Sequence, residues 1–393
     1  MPNIKAIQDE LQARKLDGWL FYDFHGRDAI AYSVLGLGSA HATRRWFYVI
    51  PAKGEPRKLV HSIESRMLDS LPGSKTTYAG AGELLKALPK FLGAGKKLAM
   101  QYSPKNAIPY ISTVDAGTVE LVRSFKKTVV TSAELVQLFE ARWTAEQFET
   151  HIAAGRVIDR VIQQAFSQAG TFVRQGKVIT EFDLQQWILE QFRANLVVTE
   201  DGPIVAVGPN TGDPHYQPTM EVSRPVREGD LLLLDCWGKT RGPHSVYYDV
   251  TWMGYLGDKV PAKYAEIFAV VRSARDAAIV FVQNAVKNGK RIQGWQVDRA
   301  ARDVIRKAGH AKSFVHRTGH NIGRSVHGNG ANMDSIEMKD DRPVIPHTCF
   351  SVEPGIYFRE FGVRSEVNVY IDGSEARVTG PVQTGILPLL SGA

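Results

Sequence analysis

Four acids stand where the surrounding pattern calls for apolar residues. Asp235 ends the run Leu231-Leu232-Leu233-Leu234, and Asp249 interrupts Val246-Tyr247-Tyr248-Asp249-Val250-Thr251-Trp252. Glu353, in Ser351-Val352-Glu353-Pro354-Gly355-Ile356, and Glu366, in Val363-Arg364-Ser365-Glu366-Val367, repeat the pattern in two further candidate strands. A carboxylate in such a setting costs free energy unless it is paired or bound to a cation, and acids are seldom fully buried alone. Gly238 to Pro243 reads as a hairpin loop, so Asp235 and Asp249 can face each other across neighbouring strands. Like charges that close repel, and one pKa rises sharply unless a metal neutralises both.

The segment from Val315 to His327 adds three of the eleven histidines, His316, His320 and His327. Imidazole is the commonest metal ligand and also shuttles protons near neutrality. Four carboxylates with one imidazole make a mostly oxygen site suited to two divalent cations, Mn(II) or Co(II) first, with Fe(II) and Zn(II) as further fits. Two metals bridged by carboxylates can aim an activated water at a carbonyl. The local signatures of other hydrolases and of nucleotide phosphate loops are absent: there is no H-E-x-x-H, no G-x-S-x-G and no G-x-x-x-x-G-K-S/T.

The elements that would carry these residues fall into two groups. Residues 1–131 alternate short helices and strands: Ile4 to Leu16 and Gly82 to Phe91 as helices, with Trp19 to Asp23, Trp46 to Ile50, Lys58 to His61 and Lys97 to Tyr102 as strands. This is a small α/β domain. Residues 132–393 begin with a helix from Ala133 to Ala141 that Ser132 can cap, followed by two amphipathic helices. Thr144 with Gln147 and Thr180 with Asp183 open those two. Helices from Tyr264 to Val286 and Trp295 to Ala308 follow. The strands Pro203 to Val207, Leu231 to Trp237, Val246 to Met253, Thr348 to Phe358 and Val363 to Ile371 form an antiparallel set if consecutive members pair. Helices bracketing such a sheet give an α+β layout for this second domain.

Composition narrows the partners. With 48 Lys and Arg against 41 Asp and Glu, the net charge of +7 is mild for 393 residues and lacks the basic blocks of a nucleic-acid binder. No stretch approaches the roughly 18 consecutive apolar residues of a membrane span, and no signal-peptide pattern opens the chain. Two cysteines are too few for a disulfide framework. The expectation is a cytoplasmic enzyme with neither nucleic acid nor membrane as partner.

The order Asp235, Asp249, His320, Glu353, Glu366 resembles the ligand order of the pita-bread metallopeptidases, which include methionine aminopeptidase, aminopeptidase P and prolidase. The contexts are similar too: Glu228-Gly229-Asp230 before the Leu run, Asp249-x-Thr251, Gly319-His320-x-Ile322-Gly323, Glu353-Pro354-Gly355 and Arg364-x-Glu366. The resemblance runs from Thr144 to Gly380, and Met1 to Val130 more loosely resembles the creatinase-like N-terminal domain of the proline-specific members. His316, four positions before His320, points to that proline-specific branch.

The resemblance implies hydrolysis of an Xaa-Pro bond in a small peptide, by an Xaa-Pro dipeptidase first and an Xaa-Pro aminopeptidase second. It implies that Asp235 chelates one metal, that Asp249 and Glu366 bridge, and that His320 and Glu353 complete the other. Glu353 would shuttle the proton, His327 and His215 would steady the oxyanion, and His316 would line the substrate pocket. Arg364 would pair with carboxylates around the metals, and Lys339 or Arg342 would grip a dipeptide's C-terminal carboxylate. A homodimer is expected on the same ground. Departures include the fourteen-residue step from Asp235 to Asp249, Trp237 in place of a customary Gly, and Gly328 where an acid commonly follows the second histidine. Creatinase-like or lyase chemistry on small molecules, and a binding protein without chemistry, are the alternatives on the same fold.

Overall fold

The computed structural model describes residues 2–38 and 40–391. Two compact units divide between Ala141 and Arg142, later than the boundary read from the sequence at 131. The helix expected from Ala133 to Ala141 is one turn, Ala133–Val136, running into a wider π turn, Gln137–Ala141. Phe139 in that turn lies 6.1 Å from the Trp19 ring, which holds the segment on the first unit. Ser132 supplies no side-chain cap; the Thr131 hydroxyl accepts from Ala133 N at 3.2 Å instead.

The first unit is built on a six-stranded sheet in the order Ser74–Tyr78, Arg57–His61, Trp46–Pro51, Gly18–Asp23, Lys97–Met100, Thr128–Thr131. Trp46–Pro51 runs antiparallel to both its neighbours, and the other pairings are parallel. Gly18–Asp23 is buried along its whole length, as a central strand covered on both faces must be. The helices include Ile4–Ala13, Ala81–Leu92 and two that the sequence reading passed over, Ala29–Leu35 and Ala116–Ser124.

In the second unit, Ala145–Arg174 and Glu181–Ala194 begin at the expected caps, with reciprocal side-chain bonds from Thr144 to Gln147 and from Thr180 to Asp183. Ala262–Lys287 and Gly294–Lys307 are the later helices. Leu231–Thr240 pairs antiparallel with both Ile204–Val207 and Tyr248–Tyr255. The remaining strands do not join this sheet as one set. Cys349–Val352 and Val367–Asp372 pair in a second sheet with Asn321–Ile322 and Glu375–Thr379, while Gly355–Tyr357 and Gly362–Arg364 form a separate antiparallel ribbon. Each of the two long strands expected at the C-terminal end is therefore broken in two, one at Glu353-Pro354 and the other at Ser365-Glu366. Pro354 has no N–H to offer a ladder, and both breaks set a glutamate where the chain passes from sheet to ribbon.

Candidate metal centre

The two aspartates owe their position to strand register. Asp235 lies directly opposite Thr251, and Asp249 directly opposite Trp237. Side chains alternate along a strand, so Asp235, Trp237, Asp249 and Thr251 share one face. The other face carries Leu232, Leu234, Cys236, Val250 and Trp252 into a core with residues of the Ala145–Arg174 helix. Burying that face forces the acids to point inward. Asn368 then fastens the second sheet to this one: its Oδ1 accepts from Asp249 N at 3.1 Å, and its Nδ2 donates to the Asp249 carbonyl.

His320 reaches the same point through a close backbone approach. A Cβ on Gly319 would lie 1.9 Å from the Ser351 carbonyl oxygen, so only glycine lets the two segments meet. His320 N donates to Ser351 Oγ at 2.9 Å, and that hydroxyl donates to Glu353 Oε1 at 3.0 Å. His320 Nε2 stands 3.4 Å from both Asp249 Oδ2 and Glu353 Oε1. Glu366 Oε2 accepts from Thr251 Oγ1 at 2.9 Å, and Asp235 Oδ2 accepts from Arg364 Nη2. Ligand atoms of Asp249, His320 and Glu366 all lie within 4.8 Å of one another.

The donor set fits a divalent cation. Asp235 Oδ1, Asp249 Oδ1 and Glu366 Oε1 are buried without a hydrogen-bond partner, a costly state for a carboxylate oxygen unless something unlike a hydrogen bond completes it. Burial pushes all four acids up: Glu353 to about 7, and Asp249 and Glu366 well above the carboxylate range, these two also through repulsion by their neighbours. Asp235 rises by burial, partly offset by the Arg364 guanidinium. His320 is held neutral by burial and by the nearby His327 ring, which leaves a nitrogen lone pair free for a metal. Arg364 faces the four carboxylates, with Arg317 adding its charge at Glu353, and metal cations would supply the missing positive charge.

Around this centre the remaining expected residues fall into three groups. His316, half-buried, places Nδ1 2.7 Å from the Arg317 carbonyl and Nε2 2.8 Å from the Tyr357 hydroxyl, and burial lowers it to about 3. His327 and His215 are both exposed. The His327 ring stands edge-on to His320 at 4.3 Å, and His215 lies within charge range of Asp235 and His316. Arg364 is buried and turned inward, donating to Asp235, to Thr251 Oγ1 at 3.0 Å and to the Pro214 carbonyl at 3.1 Å, with Tyr357 OH at 3.3 Å. These donors of the guanidinium are thus directed at groups of the protein itself.

The two proposed carboxylate grips are placed differently again. Arg342 is buried and spends its donors on Asp340, at 2.9 and 2.6 Å, and on the Asn329 carbonyl at 2.7 Å. Lys339 is exposed, its ammonium 4.8 Å from the Trp295 ring centroid. Sequence reasoning gave no role to Tyr357, Thr251, Ser351 or Asn368, quoting Thr251 only within the Asp249-x-Thr251 motif. A signal for the last three was present: Asp249-x-Thr251, Ser351-x-Glu353 and Glu366-x-Asn368 each put a polar side chain two residues from an acid, the spacing of one strand face.

Comparison with known proteins agrees with this picture. Residues 149–373 match the profile of metallopeptidase family M24. The probable dipeptidase PepE of Mycobacterium tuberculosis is 33% identical over 244 residues, 61% of this chain and 60% of that protein. The Xaa-Pro dipeptidase of Lactobacillus helveticus is likewise 33% identical over 244 residues, 62% of this chain and 60% of that one. The chain thus matches about three-fifths of the length of these curated relatives. The crystal structure of dipeptidase PepE from Mycobacterium ulcerans superposes with a TM-score of 0.73 over 98% of this chain and 96% of that one, at 23% identity. With its match across the second unit, its α+β pita-bread architecture and its cluster of carboxylates around His320, the chain belongs to metallopeptidase family M24.

Proposed function

We propose that this protein hydrolyses the bond before proline in short peptides, with two divalent ions held by Asp235, Asp249, His320, Glu353 and Glu366. The observation that carries this is the convergence of four acids around one neutral imidazole, three of them buried and each with an oxygen lacking any partner. The named relatives, a probable dipeptidase and an Xaa-Pro dipeptidase, support the substrate class. Mn(II) or Co(II) suits a donor set of carboxylates with a single imidazole.

When bound, the ions would supply Lewis acidity toward the scissile carbonyl and toward water. The chain's own residues do the rest. Arg364 and Thr251 fix Asp235 and Glu366, so the carboxylates are held before substrate arrives. Glu353, oriented by Ser351, would take a proton from the attacking water and return it to the departing proline nitrogen. His327 and His215, both exposed beside the centre, would donate to the developing oxyanion. His316, tethered to the Arg317 carbonyl and Tyr357, would back the proline pocket.

A dipeptidase also needs a cation for the substrate's C-terminal carboxylate. The commitment of Arg342 to Asp340 and of Lys339 to the Trp295 face favours the second reading, an Xaa-Pro aminopeptidase acting on longer peptides. The same proposal takes the N-terminal domain, read from the sequence as residues 1–131, as creatinase-like and the working enzyme as a cytoplasmic homodimer, the dimer on the strength of the family resemblance. Among the described residues no helix is long and apolar enough to cross a membrane.

The test is hydrolysis of Xaa-Pro dipeptides, their C-terminal amides and Xaa-Pro-Yaa tripeptides by chelator-treated protein, before and after adding Mn(II) or Co(II). Metal-dependent cleavage of free dipeptides alone establishes the dipeptidase. Equal cleavage of amides and tripeptides establishes the aminopeptidase. Absence of cleavage in all three series, with metal bound, overturns the proposal.

A further inference from the structure

The centre has two unlike sides. At the row formed by Asp235 and Thr251, Arg364 leads to the Tyr357 hydroxyl and through it to His316, a polar wall. One row nearer the hairpin, Trp237 stands directly opposite Asp249 on the same face. Residues opposed in this way have Cβ atoms about 4.5–5.5 Å apart, so the indole borders the carboxylates. Cys236 and Gly238 on either side of it are buried, yet Trp237 itself is only half-buried. It packs on two apolar clusters at once, one holding Leu233, Met253 and Ile356, the other Val246, Tyr247 and Ile322, on which Val326 beside His327 also rests.

A large, rigid, part-open aromatic at the edge of a charged centre offers a substrate apolar area without a charge to satisfy. Resting on the proposed Xaa-Pro hydrolysis, we infer that Trp237 is the specificity-determining wall for the residue before the scissile bond. Proline sits toward His316 and Tyr357, and the preceding side chain lies along the indole. Apolar side chains of moderate size are thereby selected over glycine. In place of a small residue, the indole gives this chain a side-chain contact that glycine at 237 could not make.

The test compares Leu-Pro with Gly-Pro in the full-length protein and in Trp237→Ala, with Trp237→Phe as a variant that keeps an aromatic ring. Turnover of the metal-loaded enzyme is one readout. The other is calorimetric binding of the Leu-Pro and Gly-Pro analogues in which the peptide carbonyl is reduced to a methylene, which needs no turnover. The parent should prefer the leucine compound in both readouts. Trp237→Ala should lower that preference about tenfold, the scale of a few apolar contacts in a pocket, chiefly through KM, and Trp237→Phe should fall between. A parent without leucine preference in binding, or a preference unmoved in Trp237→Ala, overturns the inference. If neither the dipeptides nor the Leu-Pro-Yaa and Gly-Pro-Yaa tripeptides are cleaved but the binding preference is present and is lost in Trp237→Ala, the wall stands and the hydrolytic reading falls. If both dipeptides are cleaved and the preference is unmoved, hydrolysis stands and the wall falls.

Discussion

Buried charge in the second unit is treated in two opposite ways. Glu181 is fully buried and fully answered: Val207 N and Asn210 Nδ2 donate to Oε1 at 2.6 and 3.0 Å, while Tyr216 OH and Arg224 N donate to Oε2 at 2.6 and 2.7 Å. Asp340 has the Arg342 guanidinium and Asn332 N. At the centre around His320, by contrast, Asp235, Asp249 and Glu366 each keep one oxygen that nothing meets. A folded chain can satisfy a buried carboxylate when burial is all that is asked of it. Three left incomplete in one group of mutually repelling acids, two of them within 4.8 Å of the His320 imidazole, are better explained by something the chain expects to bind. Single orphans do not carry the same weight; Asp28 in the first unit has one bare oxygen, but its other oxygen caps a helix by accepting from Ala31 N at 3.0 Å.

The strongest way to break this contrast is to remove one charge from each class. Asp249→Asn should reduce turnover to background, at least about 10²-fold, since even changes in the groups that orient metal ligands cost 10–100-fold. Chelation of the parent should do the same, and added Mn(II) or Co(II) should restore the parent but not the variant. The metal-free variant should unfold no more easily than the metal-free parent, because it has lost a repelled carboxylate. A clear fall in its thermal midpoint would show that Asp249 is ordinary scaffold. Arg342→Ala should behave oppositely. It strands Asp340 without its partner and should cost about 3–5 kcal/mol of stability, the usual penalty for breaking a buried pair, measured by urea unfolding at neutral pH. If instead it leaves stability intact and raises KM for free dipeptides but not for their amides, Arg342 grips the substrate after all.

The two classes differ in how far the sequence reveals them. Asp235 and Asp249 are legible because an acid interrupts a run of apolar residues on strands whose register a short connection sets. Glu353 and Glu366 are equally legible as misplaced acids, but their setting is not. Thr348 to Phe358 reads as one strand by its apolar content, and only its pairing, with Val367–Asp372 for one half and with Gly362–Arg364 for the other, divides it between a sheet and a ribbon. The satisfied charges are harder still. Nothing in Lys339-Asp340-Asp341-Arg342 says that Arg342 turns back on Asp340 while Lys339 lies over Trp295, since a charged loop and a buried pair two residues apart look alike until the chain closes. Tyr357 escaped notice for a related reason: a tyrosine in an apolar strand counts as core until its hydroxyl is seen between His316 and Arg364.

A milder test uses a satisfied group that titrates. His151 is fully buried, with Tyr247 O 2.6 Å from Nδ1 and Thr379 Oγ1 2.7 Å from Nε2, and burial lowers its pKa to about 4. Unfolding returns it to an ordinary histidine near 6.5. Between those values the unfolded chain binds the extra proton, so this group's contribution to stability falls as pH falls, by about 2 kcal/mol at pH 5 relative to pH 8. Asp159, raised to about 7 by burial, acts in the opposite sense, favouring the fold as pH falls from 7 towards 4. The diagnostic is therefore a difference between proteins: His151→Gln should flatten the acid limb relative to the parent between pH 6.5 and 4. An unchanged limb would mean that His151 is protonated in the fold.

The smallest expected effect separates nearness to the site from participation in it. Cys236 follows Asp235 directly, and Cys349 lies two residues before Ser351, so both sit close to the centre along the chain. Strand alternation turns Cys236 into the core beneath the Ala145–Arg174 helix, away from the acids. Cys349 packs with Trp143, Tyr247 and Tyr370. Both thiols are buried, and burial pushes their pKa values well above the ordinary thiol range. The reactive thiolate is therefore scarce, and access to it is closed. A maleimide added to the folded, metal-loaded protein should leave activity unchanged and the cysteines unlabelled over an hour, with full labelling in urea. Rapid labelling with loss of turnover under native conditions would show that the sheet bearing Asp235 opens, and that the centre is less firmly held than its hydrogen bonds imply.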